Sequence, residues 1–206
     1  MNKKTIRDIE LKGRRVVMRV DFNVPIKGGV ISDDTRIQAA LPSIKYIIDH
    51  GASIVLMSHL GRPDGKADLS LSLRPVAERL ANCLAQPVEF AEDCQNAKAK
   101  VDALQPGEIL MLENLRFHPG ETAGDMDFAK AVMSMAEVYV CDAFGTAHRP
   151  HASMVAFAKV AKQCCAGFLL MKEWQFLGEA VESPQRPFVA VSGGAKVSSK
   201  LGVRKN

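Results

Sequence analysis

Residues 16–25 read VVMRVDFNVP, a short run rich in valine that changes abruptly to polar side chains and a proline. Such a run indicates a β-strand that is buried on both faces. Similar short runs recur along the chain, and each of them predicts a buried strand. They occupy residues 53–57, 88–90, 109–112, 138–141 and 188–191.

Segments with the helical spacing of apolar residues lie between these runs. They occupy residues 35–49, 73–84, 97–104 and 125–136. Pro42 lies inside the first of them, where a proline kinks a helix or marks its true start. The alternation of strand and helix predicts an α/β fold of Rossmann-like type, with a parallel sheet and helices on both faces.

A domain boundary is predicted near residue 183. Residues 166–181 have a helix-favouring composition, and Pro184 and Pro187 then interrupt the pattern before a new apolar run begins. Proline-rich interruptions of this kind are typical of domain boundaries. The predicted organisation is therefore an α/β domain at residues 1–165, a linker helix at residues 166–183, and the first strand of a second α/β domain within residues 187–206.

The overall composition excludes several classes of protein. With 47% hydrophobic and 24% charged residues, the chain resembles an ordinary globular protein. The net charge of +4 and the 6% of aromatic residues are too low for a dedicated nucleic-acid binder. We find no secretory signal and no apolar stretch near the roughly 18 residues that a membrane span needs, so we expect no nucleic-acid and no membrane partner.

The cysteines favour a reducing compartment. Their number is odd, and they form neither a C-x-x-C pair nor a zinc-binding spacing. We therefore expect reduced, mostly buried thiols in a cytoplasmic protein. The residues concerned are Cys83, Cys94, Cys141, Cys164 and Cys165.

The residues that follow the predicted strands are polar, and in an open parallel sheet ligands bind beyond these strand ends. Arg62, Arg116 and Arg149 follow three different strands, and Arg36 opens the helix after the first strand. Guanidinium groups match carboxylate and phosphate oxygens, so the cluster predicts a small, doubly anionic ligand. Taken singly, each arginine is more often a solvated surface charge.

Four other polar residues at the strand ends have a functional or a structural interpretation. Asp21 and Asn23 can bind a hydroxyl group between them. His59 alone is more often a structural histidine than a ligand contact, and Asp142 can simply cap the following turn.

Residues 192–200, SGGAKVSSK, form a second candidate site after the last predicted strand. Glycines there allow a phosphate to approach the backbone, and Lys196 and Lys200 share one face of the helix that follows. The segment matches neither the P-loop nor the dinucleotide-binding motif. On its own it favours a phosphate site only slightly over a plain glycine turn.

Six motifs span nearly the whole chain: VDFNVP (20–25), DDTRI (33–37), SHLGRP (58–63), LENLRF (112–117), DAFGTAHR (142–149) and GGAKVSSK (193–200). In order and spacing they resemble the motifs of the phosphoglycerate kinase family. The resemblance implies a monomeric, hinge-closing, two-domain enzyme of glycolysis. It implies phosphoryl transfer between 1,3-bisphosphoglycerate and ADP, giving 3-phosphoglycerate and ATP, with magnesium present as Mg-ATP or Mg-ADP.

The resemblance also implies roles for individual residues. Arg36 and Lys196 are implied to be catalytic, because they would meet the transferring phosphoryl group across the closed cleft. Nucleotide phosphates would be bound by Gly194, Ala195, Lys196 and Lys200, and none of the implied residues is a metal ligand. The implied 3-phosphoglycerate site comprises Asp21, Phe22, Asn23, Arg36, His59, Leu60, Gly61, Arg62, Arg116 and Arg149.

The sequence departs from the family pattern in two ways. Ser199 stands where many members carry aspartate. Family members are nearly twice as long, so their adenine pocket and magnesium-binding aspartate are expected beyond Asn206, and this chain is expected to end inside the first helix of the second domain. We therefore expect it to be inactive alone. The alternative hypothesis is a non-catalytic domain that binds a phosphorylated carboxylate.

Overall fold

The computed structural model describes residues 3–189 and 191. Six of its strands form one parallel sheet in the order β5-β6-β4-β1-β7-β8, and β2 and β3 form a separate antiparallel hairpin. In the described residues the strands are β1 (Arg15–Val20), β2 (Ile26–Lys27), β3 (Val30–Ile31), β4 (Ser53–Met57), β5 (Glu89–Ala91), β6 (Ile109–Leu112), β7 (Val138–Asp142) and β8 (Gln163–Ala166).

Helices cover both faces of this sheet. The α-helices of the described residues are α1 (Thr35–Asp49), α2 (Arg74–Leu84), α3 (Lys98–Ala103), α4 (Pro119–Ala123), α5 (Met126–Met133), α6 (Ala156–Val160) and α7 (Phe168–Glu182). Short 3-10 helices occur at Ile6–Asp8, Leu69–Leu71, Leu115–Phe117 and Phe144–Thr146.

Side chains of the strands alternate between two hydrophobic cores, as the pleat of a strand requires. Val16 and Met18 of β1 belong to the core that α1 and α2 cover. Val17 belongs to the opposite core, to which Phe128 of α5 and Phe157 of α6 contribute. Because β1 lies between β4 and β7, its end is at the middle of the sheet.

The predicted fold class is confirmed, and several element boundaries agree to the residue. The strands at residues 53–57 and 109–112 and the helix at residues 35–49 have the predicted bounds. Pro42 lies inside α1, which continues across it. The other predicted strands and helices up to residue 141 differ from the observed ones by no more than three residues at either end.

Two parts of the prediction need correction. Ala166 was assigned to the long helix, but it ends β8, which the sequence analysis missed, and α7 begins at Phe168. Phe188, Val189 and Val191 were assigned to a strand, but they form none, because no described residue pairs with them. The residues of that prediction that follow Val191, and Ala190, lie outside the described part of the chain.

Backbone contacts divide the chain into two units, Met1–Glu173 and Trp174–Asn206. The sheet belongs entirely to the first unit. The five cysteines are free, and Cys164 is exposed whereas Cys94 and Cys165 are buried. Among residues 3–189 and 191, no helix combines the length and the apolar character that crossing a membrane requires.

Candidate functional site

Polar residues from several strand ends meet around a cavity of about 180 Å³. Because β6, β4, β1 and β7 are neighbours in the sheet, the segments that follow them lie side by side. Eight of the ten predicted substrate residues line this cavity, together with Gly145 and Thr146. They are Asp21, Asn23, Arg36, His59, Gly61, Arg62, Arg116 and Arg149.

The other two predicted residues, Phe22 and Leu60, do not line this cavity, because their side chains are buried in the core that α1 and α2 cover. Their backbones nevertheless hold the site together. The Phe22 amide donates to Ser58 Oγ at 2.9 Å. The Leu60 amide donates to Asn114 Oδ1 at 3.2 Å.

Asn114 joins the loop after β4 to the loop after β6. It is completely buried, and its Nδ2 donates to the carbonyl oxygens of Leu60 at 2.7 Å and Leu71 at 3.0 Å. Its Oδ1 also accepts a bond from the Arg116 amide at 3.1 Å. One buried amide therefore fixes two cavity-lining loops relative to each other.

Gly61 is required by two features of its loop. Its φ is +60°, and an added Cβ would lie 2.7 Å from Leu71 Cδ2. Its amide donates to Asn23 Oδ1 at 3.0 Å, and its carbonyl accepts a bond from Arg116 NH1 at 2.7 Å. The glycine thus allows the backbone to bind two side chains of the cavity at once.

Asp21 and Arg36 form an ion pair at the edge of the cavity, in which Arg36 NH1 donates to Asp21 Oδ2. Gly145 packs against this pair, since an added Cβ would lie 2.7 Å from Asp21 Oδ2. The second carboxylate oxygen, Asp21 Oδ1, is buried and accepts no hydrogen bond within the described residues. It is an acceptor without a donor.

Positive charge is in excess around the cavity. Within residues 3–189 and 191, the side chains of Arg62 and Arg149 take part in no hydrogen bond or ion pair, and Arg116 Nε is buried without a partner. Burial lowers the pKa of Arg116 below its ordinary value, and the charge of Arg149 lowers it further. These arginines are therefore available to an anion.

His59 contributes a neutral group to this cationic site. Its ring is buried, and burial together with the charges of Arg19 and Arg116 lowers its pKa from 6.5 to about 2. The imidazole therefore carries no charge at physiological pH. It remains able to donate or accept a hydrogen bond.

The family model described as Phosphoglycerate kinase matches residues 6–206. The chain belongs to the phosphoglycerate kinase family. It is similar to proteins named phosphoglycerate kinase from Chloroherpeton thalassium, at 51% identity, and Chlorobium limicola, at 54% identity. In each case all of this chain aligns with 52% or 53% of the relative, so the chain spans about half the length of the curated relatives it matches.

Solved structures of this family have the same fold. The structure of phosphoglycerate kinase from Coxiella burnetii aligns with this chain at a TM-score of 0.88 and 40% identity. The alignment covers 99% of this chain and 51% of the Coxiella chain. The structure of phosphoglycerate kinase from Pyrococcus horikoshii aligns with a TM-score of 0.89 and 35% identity. The alignment covers 97% of this chain and 51% of the Pyrococcus chain.

Sequence reasoning missed four polar residues behind the cavity. Arg19 and Glu121 are completely buried, as is Ser153, which hydrogen-bonds to both of them. His151 lines an adjoining cavity of about 250 Å³ with Arg62, Arg116 and Arg149. The signal for Arg19 was visible, because it is the one charged residue in the valine-rich run at residues 16–20.

The family's second implied site lies elsewhere in the chain. Gly194, Ala195, Lys196 and Lys200 are outside the described residues. In the part of the chain that the structure describes, no group of three or more His, Cys, Asp or Glu side chains could hold a metal ion.

Proposed function

We propose that this chain binds 3-phosphoglycerate and forms the substrate-binding half of a phosphoglycerate kinase. The observation that carries the proposal is the set of unpaired groups in one small cavity. Within the described part of the chain, Arg62, Arg149 and Arg116 Nε lack acceptors, and Asp21 Oδ1 lacks a donor. A ligand that brings two anionic groups and a hydroxyl group would satisfy all of them.

3-Phosphoglycerate has this combination of groups. Its phosphate and carboxylate would be bound by Arg62, Arg116 and Arg149, and its hydroxyl group would donate to Asp21. Asn23 lines the same cavity, and the neutral imidazole of His59 can add a hydrogen bond without adding charge. Phosphate esters that lack the carboxylate would leave part of the cationic cluster unpaired.

In the whole protein we propose phosphoryl transfer between 1,3-bisphosphoglycerate and ADP, giving 3-phosphoglycerate and ATP. Such transfer requires mainly positioning and neutralisation of charge. Arg36, which is half-exposed and oriented by Asp21, would meet the transferring group together with Lys196. Magnesium would arrive with the nucleotide, as Mg-ATP or Mg-ADP.

The proposed division of the chain follows from these roles. The domain at residues 1–166, which ends with β8, would bind 3-phosphoglycerate, α7 (Phe168–Glu182) would be the interdomain helix, and residues 187–206 would begin the nucleotide-binding domain. Gly194, Ala195, Lys196 and Lys200 would bind nucleotide phosphates. A substrate half alone cannot hold both reactants in line, so the chain alone should not produce 1,3-bisphosphoglycerate from ATP.

The test is an amide chemical-shift titration of the folded chain with 3-phosphoglycerate. We expect saturable shifts near Arg62, Arg116 and Arg149 at millimolar ligand, weakening with added salt because the site is cationic. Glycerol 3-phosphate, which lacks the carboxylate, is the matched control ligand and should bind more weakly. Equal binding of both compounds, or no shifts at these residues, would contradict the proposal.

A further inference from the structure

Arg19 lies beneath the cavity and takes part in it through His59. It is completely buried in β1, and its side chain does not reach the cavity surface. Its Nε donates to Ser153 Oγ at 3.0 Å, and NH1 donates to the carbonyl of Val20. Its NH2 is 3.0 Å from Nδ1 of His59. Each guanidinium nitrogen therefore has a partner.

The contact with His59 determines where the imidazole carries its proton. A guanidinium group has only donors, so Nδ1 of His59 must be the acceptor and cannot carry hydrogen. A neutral imidazole carries one ring proton, which must then be on Nε2. Arg19 thereby leaves an N–H donor on the ring nitrogen that it does not contact.

We propose that Arg19 is a positioning residue of this site, which holds His59 as the neutral tautomer with its proton on Nε2. His59 then donates a hydrogen bond to an anionic oxygen of the ligand. The assignment of that oxygen to 3-phosphoglycerate rests on the proposed function, whereas the tautomer does not depend on it.

A buried ionic network holds Arg19 in place. Ser153 Oγ accepts a bond from Arg19 and donates to Glu121 Oε1 at 2.6 Å, and the Ser153 amide donates to Glu121 Oε2 at 2.9 Å. Glu121 is completely buried, so a carboxylate compensates the buried guanidinium through one hydroxyl group. Tyr139 also donates to the carbonyl oxygen of Ser153.

Among the described residues, Asp21 competes with Arg19 for Nδ1 of His59. Asp21 Oδ1 lies 3.9 Å from Nδ1, and a carboxylate would favour the opposite tautomer by accepting a proton from that atom. Arg19 is nearer, within hydrogen-bond distance, so it determines the tautomer. Within the described residues, the ring also experiences the charges of Arg116 and Arg149 and the proximity of a second titratable ring, that of His151.

The charge state is consistent with this arrangement. Burial is the main cause that lowers the pKa of His59 to about 2, and Arg19 is the next. The proposed donor should therefore persist across the range of about pH 5 to 8 in which ordinary histidines titrate.

Long-range hydrogen–nitrogen NMR correlations of the nitrogen-15-labelled chain test the tautomer without any ligand. We expect Nδ1 of His59 to be unprotonated and Nε2 to carry hydrogen, with no change between about pH 5 and 8. A protonated Nδ1, or a titration of His59 within this range, would overturn the proposal. Loss of 3-phosphoglycerate binding with this tautomer present would instead contradict only the proposed function.

Variants test whether Arg19 determines the tautomer of His59. Arg19→Met should give mixed tautomers of His59, while Arg15→Met, on the same strand and partly exposed, should leave the ring signals unchanged. If Arg19→Met does not fold, Arg19→Met with Glu121→Gln removes both buried charges and should give the same mixed signals. Retention of the single tautomer in a folded Arg19 variant would contradict the assignment.

A double-mutant cycle tests whether Arg19 affects the affinity for 3-phosphoglycerate through His59. His59→Leu should weaken 3-phosphoglycerate binding on the order of tenfold, the loss of about one hydrogen bond, and His59→Gln, which keeps an N–H donor, should recover part of this loss. Arg19→Met should weaken binding less in the His59→Leu background than in the wild type. Equal weakening in both backgrounds would show that Arg19 does not act through His59.

Discussion

Two concave regions of the first unit differ in how their charges are satisfied. A groove of about 560 Å³ lies between the β2–β3 hairpin and α2, and the strand-end cavity has only about 180 Å³. In the groove, Arg79 donates to Asp34 Oδ2 at 2.6 and 2.8 Å. In the cavity, Arg62 and Arg149 have no such partner in the described chain. The smaller region is therefore the better candidate for a ligand site, because its charges still need a partner.

The largest effect should come from removing one unpaired arginine. Arg149→Ala should weaken 3-phosphoglycerate binding by on the order of a hundredfold, because a desolvated charge-assisted contact is lost. Arg79→Ala, the matched arginine of the groove, should leave the affinity unchanged. Titration calorimetry at constant salt measures the affinity of both variants for 3-phosphoglycerate. Similar losses of affinity in the two variants would show that unpaired arginines of the cavity and paired arginines of the groove do not differ in ligand binding.

A second comparison uses one glycine from each region. Gly145→Ala places a methyl group 2.7 Å from Asp21 Oδ2 and should displace the Asp21–Arg36 pair, with affinity falling roughly tenfold. The methyl group added by Gly29→Ala in the groove would have no atom within 4 Å, but the φ of Gly29 is +78°, which is unfavourable for alanine. Gly29→Ala should therefore lower the free energy of unfolding by about 1 kcal/mol without changing the affinity for 3-phosphoglycerate.

Calorimetry measures the expected loss of affinity in Gly145→Ala, and urea denaturation measures the expected loss of stability in Gly29→Ala. A Gly145→Ala variant with unchanged affinity and lower stability would indicate that Gly145 is needed for folding alone.

The smallest effect concerns the ion pair of the groove. Hydrogen bonds from Arg79, and then from Gln38, hold the pKa of Asp34 below its ordinary value of 3.8. The stabilisation is therefore fully present above pH 3.8 and is lost as the pH falls through the lower folded-state pKa. Arg79→Ala should lower the urea midpoint slightly at neutral pH, and by progressively less as the pH falls through the folded-state pKa of Asp34, where the pair is lost.

High salt provides an independent check on this pair, because both side chains are partly exposed. In 1 M salt, where the screening length is about 3 Å, the difference between wild type and Arg79→Ala should shrink further. A difference that persists in acid would have to come from packing of the arginine stem.

The comparison also indicates what the sequence could reveal. The strands at residues 53–57 and 109–112 were predicted to the residue because every side chain in them is buried, which gives a continuous apolar run. Arg62, Arg116 and Arg149 were found because they directly follow strands or the turns after them. Sequence position alone places such residues near one edge of a parallel sheet.

Other features could not be predicted, for identifiable reasons. β8 lies at the edge of the sheet, with Gln163 and Cys164 exposed, so it has no continuous buried run. The hairpin strands β2 and β3 have two residues each, too few to show a period. The bond from Arg19 to His59 depends on side-chain placement across 40 positions of sequence, which no local pattern contains.

The position of β1 in the sheet has a consequence for synthesis on the ribosome. One neighbour of β1 is β4, but the other is β7, and Val16 pairs with Val138, more than a hundred residues later. At about 5 to 20 residues per second, the nascent chain carries an unpaired edge of β1 for roughly 6 to 25 seconds. During that time this valine-rich edge is open to pairing with a neighbouring nascent chain unless it is shielded.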